Sequence, residues 1–378
     1  MSHPHGGPGH IHGHGHTGAA EKADYSAPRL VAWEVTRACN LACLHCRAAA
    51  IDFPDPGQLD TAEGLRLIDQ IAAMSRETIL ILTGGEPLLR PDIFDLASHG
   101  TAVGLKVVMA PNGTMITAER AKRMKESGIQ RISVSIDGAT AKDHDYFRGV
   151  IGAFDGLIAG LDAAKTAGLE FQVNTTVTRA NLNQIEAIQD LVIGLGAVAH
   201  HIFLLVPTGR GRALTGEVIS AEEYEDVLSW FYERRDKVAI QLKATCAPHY
   251  HRILRQRAHA EGRTVDFHNF GLDAVSKGCL GGQGFVFVSH TGQVQPCGYL
   301  ELDCGQVREK GFSEIYRTSP IFVNLRDKSK YGGKCGQCEF WRVCGGCRAR
   351  AHETYGDYLA EEPLCMYQPK RSTGPDRE

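Results

Sequence analysis

What this chain lacks narrows it quickly. Its charge is nearly balanced, 41 Lys and Arg against 44 Asp and Glu for a formal net charge of -3. The basic surface that nucleic acid demands is therefore not expected. No apolar run reaches the roughly 20 residues that a membrane span needs. The first residues are polar and lack the apolar core of a secretory signal. Twelve cysteines without such a signal point to a reducing, cytoplasmic setting, where thiols hold metal clusters rather than disulfides.

The 378 residues are 43% hydrophobic and 22% charged, ordinary for a globular protein with a substantial core. Residues 1–25 stand apart, with His3, His5, His10, His12, His14 and His16 among Gly and Pro. Such a segment cannot bury enough apolar surface to order itself, and a disordered tail is expected. Its alternative reading is a weak metal or haem trap. An expression tag fits poorly, because the histidines are irregularly interrupted.

From about 28 to 240, strand and helix patterns alternate. Strands are expected at 30–36, 78–83, 106–110, 131–136, 169–177 and 200–206. Helices are expected at 61–74, 117–127, 152–167 and 182–195, with one ending near Arg235. Asp60 with Glu63, and Ser220 with Glu223, read as capping boxes. Pro91 is expected in the first turn of a helix, where its missing N–H costs nothing. Such alternation predicts a parallel sheet with right-handed crossovers. Ligands then sit at the carboxyl ends of the strands. Beyond about 245 the texture changes to short Gly-rich segments that carry nine of the twelve cysteines.

Cys39, Cys43 and Cys46 lie in a C-x3-C-x2-C run. Three thiolates can hold three irons of a [4Fe–4S] cube and leave the fourth open to a small molecule. Zinc would need a fourth Cys or His, for which His45 is the nearby candidate. An odd count rules out a closed disulfide set.

At these residues the chain resembles the radical S-adenosylmethionine (SAM) enzymes. Thr83-Gly84-Gly85-Glu86-Pro87 is similar to that family's second motif, which holds the methionine end of S-adenosyl-L-methionine. The resemblance implies an α/β fold, an open six-unit (β/α)6 partial barrel at 26–240. It implies that Ser135 and Arg148 hold the SAM carboxylate and ribose, that Asn174 meets the ribose, and that Leu205 to Pro207 pack on adenine. Ser133, Asn112 and Asp137 are weaker matches. Each also has a plain structural reading, such as Ser135 capping a turn or Asn174 satisfying a strand end.

The cysteines of 241–378 resemble the SPASM extension of that family, with one residue fewer between Cys344 and Cys347 than its pattern has. The resemblance implies two auxiliary [4Fe–4S] clusters, making three in all. Cys335, Cys338, Cys344 and Cys365 would hold one. Cys279, Cys297 and Cys347 would hold the other, with Cys246 as the candidate fourth ligand and Cys304 left over. The competing reading is an all-cysteine zinc ribbon on Cys335, Cys338, Cys344 and Cys347.

Within the family, Leu30–Thr36, Cys46–Ala50 and Leu204–Arg212 are similar to the haem-forming branch. That implies oxidative decarboxylation of two propionates of iron-coproporphyrin III to vinyl groups, with a reduced ferredoxin or flavodoxin as electron donor. Arg210 and Arg212, with Arg47 and Arg90 behind them, are candidate cations for the tetrapyrrole carboxylates. His249 or His251 is the candidate ligand to its iron. His200 and His201 read as structural. The expected absence of a leader-binding domain before the first strand points away from a peptide substrate. The alternatives are a SPASM maturase acting on a peptide or protein, another tetrapyrrole side-chain enzyme, or a non-enzymatic haem carrier.

Overall fold

A computed structural model describes residues 25–370; the histidine-rich tail lies outside them. Seven parallel strands follow one another in space: β1 (Leu30–Glu34), β2 (Ile79–Thr83), β3 (Lys106–Met109), β4 (Arg131–Ser135), β5 (Glu170–Val177), β6 (Ala199–Leu204) and β7 (Gln241–Thr245). Helices α1 (Thr61–Met74), α2 (Ile93–Ala102), α3 (Ala118–Glu126), α4 (Ala141–Arg148), α5 (Ala153–Thr166), α6 (Ile185–Gly194) and α7 (Ala221–Arg234) lie between them. This is the expected open partial barrel, extended by a seventh parallel strand.

Both expected capping boxes form. Asp60 accepts from Glu63 N at 2.8 Å and Ser220 accepts from Glu223 N at 3.2 Å, and each Glu returns the bond. Pro91 falls one residue before the cap Asp92 rather than inside α2, while Pro87 starts a short 3-10 turn over Pro87–Leu89.

The strands alternate. Their helix-facing side chains are sealed, with Val31, Trp33, Leu80, Leu82, Val107, Ile132 and Val134 all fully buried among Ile68, Ile71 and Leu157. Truncating a ring such as Trp33 there would cost about 3–5 kcal/mol.

After β7 come α8 (His249–Ala260) and two short turns of helix, α9 (Phe267–Phe270) and α10 (Leu272–Val275). The chain then returns to the opposite edge. β8 (Phe285–Val288) pairs parallel with β1, and β9 (Gln293–Gln295) and β10 (Gly305–Gln306) follow antiparallel. The ten strands make one sheet, ordered β10-β9-β8-β1 through β7. The expected boundary near 240 therefore falls at β7, and the sheet runs across it. Helices α11 (Phe312–Thr318), α12 (Pro320–Arg326), α13 (Gly333–Gln337) and α14 (Arg348–Tyr355) complete the cysteine-rich part. Among the described residues no helix is long and apolar enough to cross a membrane.

Candidate active site

The cysteine loop springs from the carboxyl end of β1, beside the end of β2. The two segments stay bonded past the strands: Gly85 N donates to Thr36 O at 2.8 Å, and Glu86 N to Ala38 O at 2.7 Å. Only glycine fits this approach. A Cβ would stand 2.3 Å from Thr36 O at Gly84 and 2.2 Å from Ala38 O at Gly85.

Cys39, Cys43 and Cys46 cluster with Leu41, Val150 and Ala153. Each sulfur receives an N–H: Leu41 N to Cys39 at 3.4 Å, Ala50 N to Cys46 at 3.4 Å, and Arg148 Nη1 to Cys43 at 3.6 Å. Burial, with Glu86, Cys43 and Cys46 adding to it, pushes the Cys39 thiol up to about 11. Three clustered sulfurs that each receive an N–H suit thiolate ligands to iron.

Glu86 is fully buried and spent on backbone, accepting from Leu88 N at 3.0 Å and Asn112 N at 2.7 Å. Burial lifts its carboxyl to about 7. Its work is to fix the strand ends around the loop. Asn112 in turn reaches Asn40 Oδ1 at 2.7 Å.

Arg148 is buried and pairs with Asp137 as well as Cys43, so two of its fork nitrogens are committed. Its Nε is buried without a partner among the described residues. His45, between two of the cysteines, stacks on Phe147 with ring centroids 4.4 Å apart.

The arginines expected at the substrate rim have other partners. Arg210 donates Nε to Cys43 O at 2.9 Å and Nη1 to Ala50 O at 2.8 Å, bracing the cysteine loop from inside. Gly209, at φ 55°, brings it there, since a Cβ would stand 2.2 Å from Arg47 O. Arg212 is exposed and paired with Glu353 at 3.1 Å. Arg47 reaches Glu34 at 2.8 Å, and Arg90 reaches Asp92 at 2.7 Å. Which carbonyl or carboxylate an arginine meets is a tertiary fact that local sequence does not carry.

Ser135, Asn174 and His201 stand in register on neighbouring strands, and Lys243 continues the row. All four are partly exposed, on the barrel's inner face. Asn174 donates to Ser133 Oγ at 2.8 Å, and Gln172 Nε2 lies 3.1 Å from His201 Nδ1. The polar alternation Gln172, Asn174, Thr176 along β5 is the sequence signal of this polar inner face. Gln172, His201 and Lys243, which motif matching alone passes over, share that face. Leu205, by contrast, is buried at the end of β6.

The later cysteines form two groups. Cys335, Cys338, Cys344 and Cys365 line one small cavity. Cys246, Cys279, Cys297 and Cys347 form the other. Burial pushes the Cys297 thiol up to about 12, with Cys279 and Cys347 adding to it. Cys246 is raised by burial and by Cys347, Cys297 and Cys279. Cys304 lies apart, beside Ser319 and Arg326.

Among the described residues, no three His, Cys, Asp or Glu side chains converge closely enough to share one metal ion. His249 faces the Cys335 cavity, with both ring nitrogens buried and unpartnered among the described residues. It therefore lies on the cluster side rather than with the inner-face residues of the barrel. His251 is buried on the same helix.

Residues 33–192 match the model of the radical SAM superfamily, and residues 279–339 match SPASM, an iron-sulfur cluster-binding domain. The chain belongs to the radical SAM family. An "AdoMet-dependent heme synthase" of Nitratidesulfovibrio vulgaris is 57% identical to this radical SAM chain over 345 residues, 91% of this chain and 94% of that one. A protein of the same name from Methanosarcina barkeri is 51% identical over 344 residues, 91% of this chain and 98% of that one. An "Fe-coproporphyrin III synthase" of the same organism is 32% identical, covering 91% and 89%. Streptococcus suis SuiB bound to S-adenosylmethionine shares the fold at TM-score 0.69 and 16% identity, covering 90% of this chain and 78% of that one. The family brings SAM and iron–sulfur clusters as cofactors, and the donor-supported cysteines fit them.

Proposed function

We propose that this radical SAM enzyme is a haem synthase, which converts two propionates of iron-coproporphyrin III to vinyl groups and yields haem b. The observation that carries the reading is the 57% identity, across nearly the whole of both chains, to a protein named for that activity. The more distant Fe-coproporphyrin III synthase and a pre-heme d1 synthase, at 32% and 31%, also carry tetrapyrrole names.

When bound at Cys39, Cys43 and Cys46, the open cluster supplies the electron that cleaves SAM, and auxiliary clusters on the two later groups provide an acceptor. Three [4Fe–4S] clusters are proposed, with Cys246 as the fourth ligand of the set with Cys279, Cys297 and Cys347. The donor is proposed to be a cytoplasmic ferredoxin or flavodoxin.

The chain's own residues position the reactants. Gly84 and Gly85 let the β2 loop press against the cysteine loop, where its backbone would hold the SAM amino group. Arg148, held by Asp137, keeps an N–H on Cys43. Ser135 and Asn174 present polar groups on the inner face for the SAM ribose and carboxylate. Reaction at each propionate removes one hydrogen atom from the carbon bonded to the ring. The carboxylate then leaves as CO2 while one electron departs, and a double bond remains.

Anaerobic incubation with SAM, a reductant and iron-coproporphyrin III tests the proposal by product mass. Each vinyl should shift the mass by CO2 and two hydrogens and consume one SAM, and a monovinyl species should appear first. Rapid SAM cleavage with unaltered porphyrin would overturn it in favour of a peptide or protein substrate.

A further inference from the structure

The inner row Ser135, Asn174, His201, Lys243 ends at β7, the edge strand of the sheet. Asn174 donates to Ser133, and His201 lies against Gln172. Lys243 makes no hydrogen bond or ion pair among the described residues. Asp273, on α10, is the carboxylate that acts on it.

That carboxylate is already shared. Tyr250 OH donates to it at 3.4 Å, and Arg235 and Arg255 act on it too. Arg235 has its own partner in Asp236 at 3.0 Å. Arg255 has none among the described residues, because its fork meets only the carbonyls of His251 at 3.0 Å and Ala274 at 3.4 Å. Burial holds His201 and His251 well below their ordinary range, so they add no charge at neutral pH. Two half-buried cations thus face one carboxylate at the open edge of the barrel. An uncompensated buried charge is costly, and an anionic ligand would remove the cost.

Phe203 lies on the same inner face, one row nearer the carboxyl ends of the strands, and is partly exposed. An aromatic surface beside unpaired cations suits a flat, apolar ring system with acidic arms. Arg212 is paired with Glu353, and Arg210 points its Nε and Nη1 at carbonyls of the cysteine loop.

We propose that Lys243, with Arg255, seats a carboxylate of a planar polycarboxylate substrate. On the haem-synthase reading, on which this rests, it is a propionate of iron-coproporphyrin III that does not react in that round. Lys243 and Arg255 are then specificity-determining residues, favouring four carboxylates over two.

The test uses the full-length, cluster-reconstituted protein under anaerobic conditions. Iron-coproporphyrin III and an iron porphyrin bearing two propionates are titrated by their absorbance change, and SAM is titrated separately. Lys243→Met keeps the apolar stem and should weaken iron-coproporphyrin III binding about ten-fold, the worth of one charge-assisted contact. The two-propionate porphyrin should lose less, SAM affinity should hold, and Lys243→Arg should restore most of the loss. Binding by Lys243→Met within two-fold of wild type overturns the subsite alone, as does a parallel loss of SAM affinity. Failure of the wild-type protein to bind either porphyrin overturns the haem-synthase reading and the subsite together. If Lys243→Met does not retain its iron, Arg255→Gln carries the same test.

Discussion

Arg348 donates from Nη2 to the sulfur of Cys335 at 3.5 Å, while its own backbone follows directly on Cys347. One fully buried side chain thus ties the two later cysteine groups together. Its remaining nitrogens bond to carbonyls, with Nη1 2.6 Å from Ala360 O and Nε 3.4 Å from Gly346 O. A cation that donates to a cluster sulfur stabilises the reduced form and raises the potential.

Arg348→Gln should therefore lower the midpoint potential of the cluster on Cys335, followed by redox titration with electron paramagnetic resonance. Arg348→Lys should recover part of the shift. SAM cleavage should be nearly unchanged. An unmoved potential in a folded, iron-replete variant would show that Arg348 only holds the chain.

Arg210 separates two readings of one residue. As a rim cation its loss would weaken porphyrin binding. As the brace of Cys43 O and Ala50 O, its loss leaves two carbonyls short of a donor, at about 1–3 kcal/mol each where water cannot reach. Arg210→Ala should slow 5′-deoxyadenosine formation and loosen iron at the first cluster. Porphyrin affinity should stay within about two-fold, measured by the same titration.

Iron counts test the grouping of cysteines. Three cubes imply about twelve irons per chain. Replacing Cys39, Cys43 and Cys46 by Ala should leave about two thirds of the iron and abolish SAM cleavage. Cys246→Ala should lower the iron of the Cys279 group while SAM cleavage persists in part. A wild-type value near four irons with stoichiometric zinc would defeat the three-cluster count.

Much of the barrel was legible because each element carries its own signal. The capping pairs at Asp60 and Ser220 mark helix starts, and the apolar runs of β1 to β6 mark strands buried on one side. The strand β7 was not legible, since Gln241-Leu242-Lys243-Ala244-Thr245 has only two apolar residues. Its place comes from pairing with β6. Helix α4 was missed for the same reason: Asp143, His144 and Asp145 dilute its periodicity. The cysteine triad was plain because its spacing is local. The inner-face cations were not, because Lys243, Arg255 and Asp273 meet only when β7, α8 and α10 are folded together.

Asp273 offers a prediction in which the sign can be worked through. Burial raises its carboxyl to about 6, against the pull of Arg235, Tyr250, Lys243 and Arg255. The folded state therefore keeps this proton after the unfolded chain has released it near its ordinary value of 3.8. More protons bound to the folded form means that stability falls as pH rises between these values, by at most about 3 kcal/mol. Asp273→Asn removes the titration. The variant should gain stability relative to wild type as pH rises from 5 to 7, with urea midpoints compared at each pH. The same change removes the one carboxylate shared by Lys243 and Arg255, so iron-coproporphyrin III should bind more tightly than to wild type at pH 7. A flat stability difference across that range would mean that Asp273 titrates normally. Weaker porphyrin binding by Asp273→Asn would mean that the carboxylate itself, rather than the cations it holds, meets the substrate.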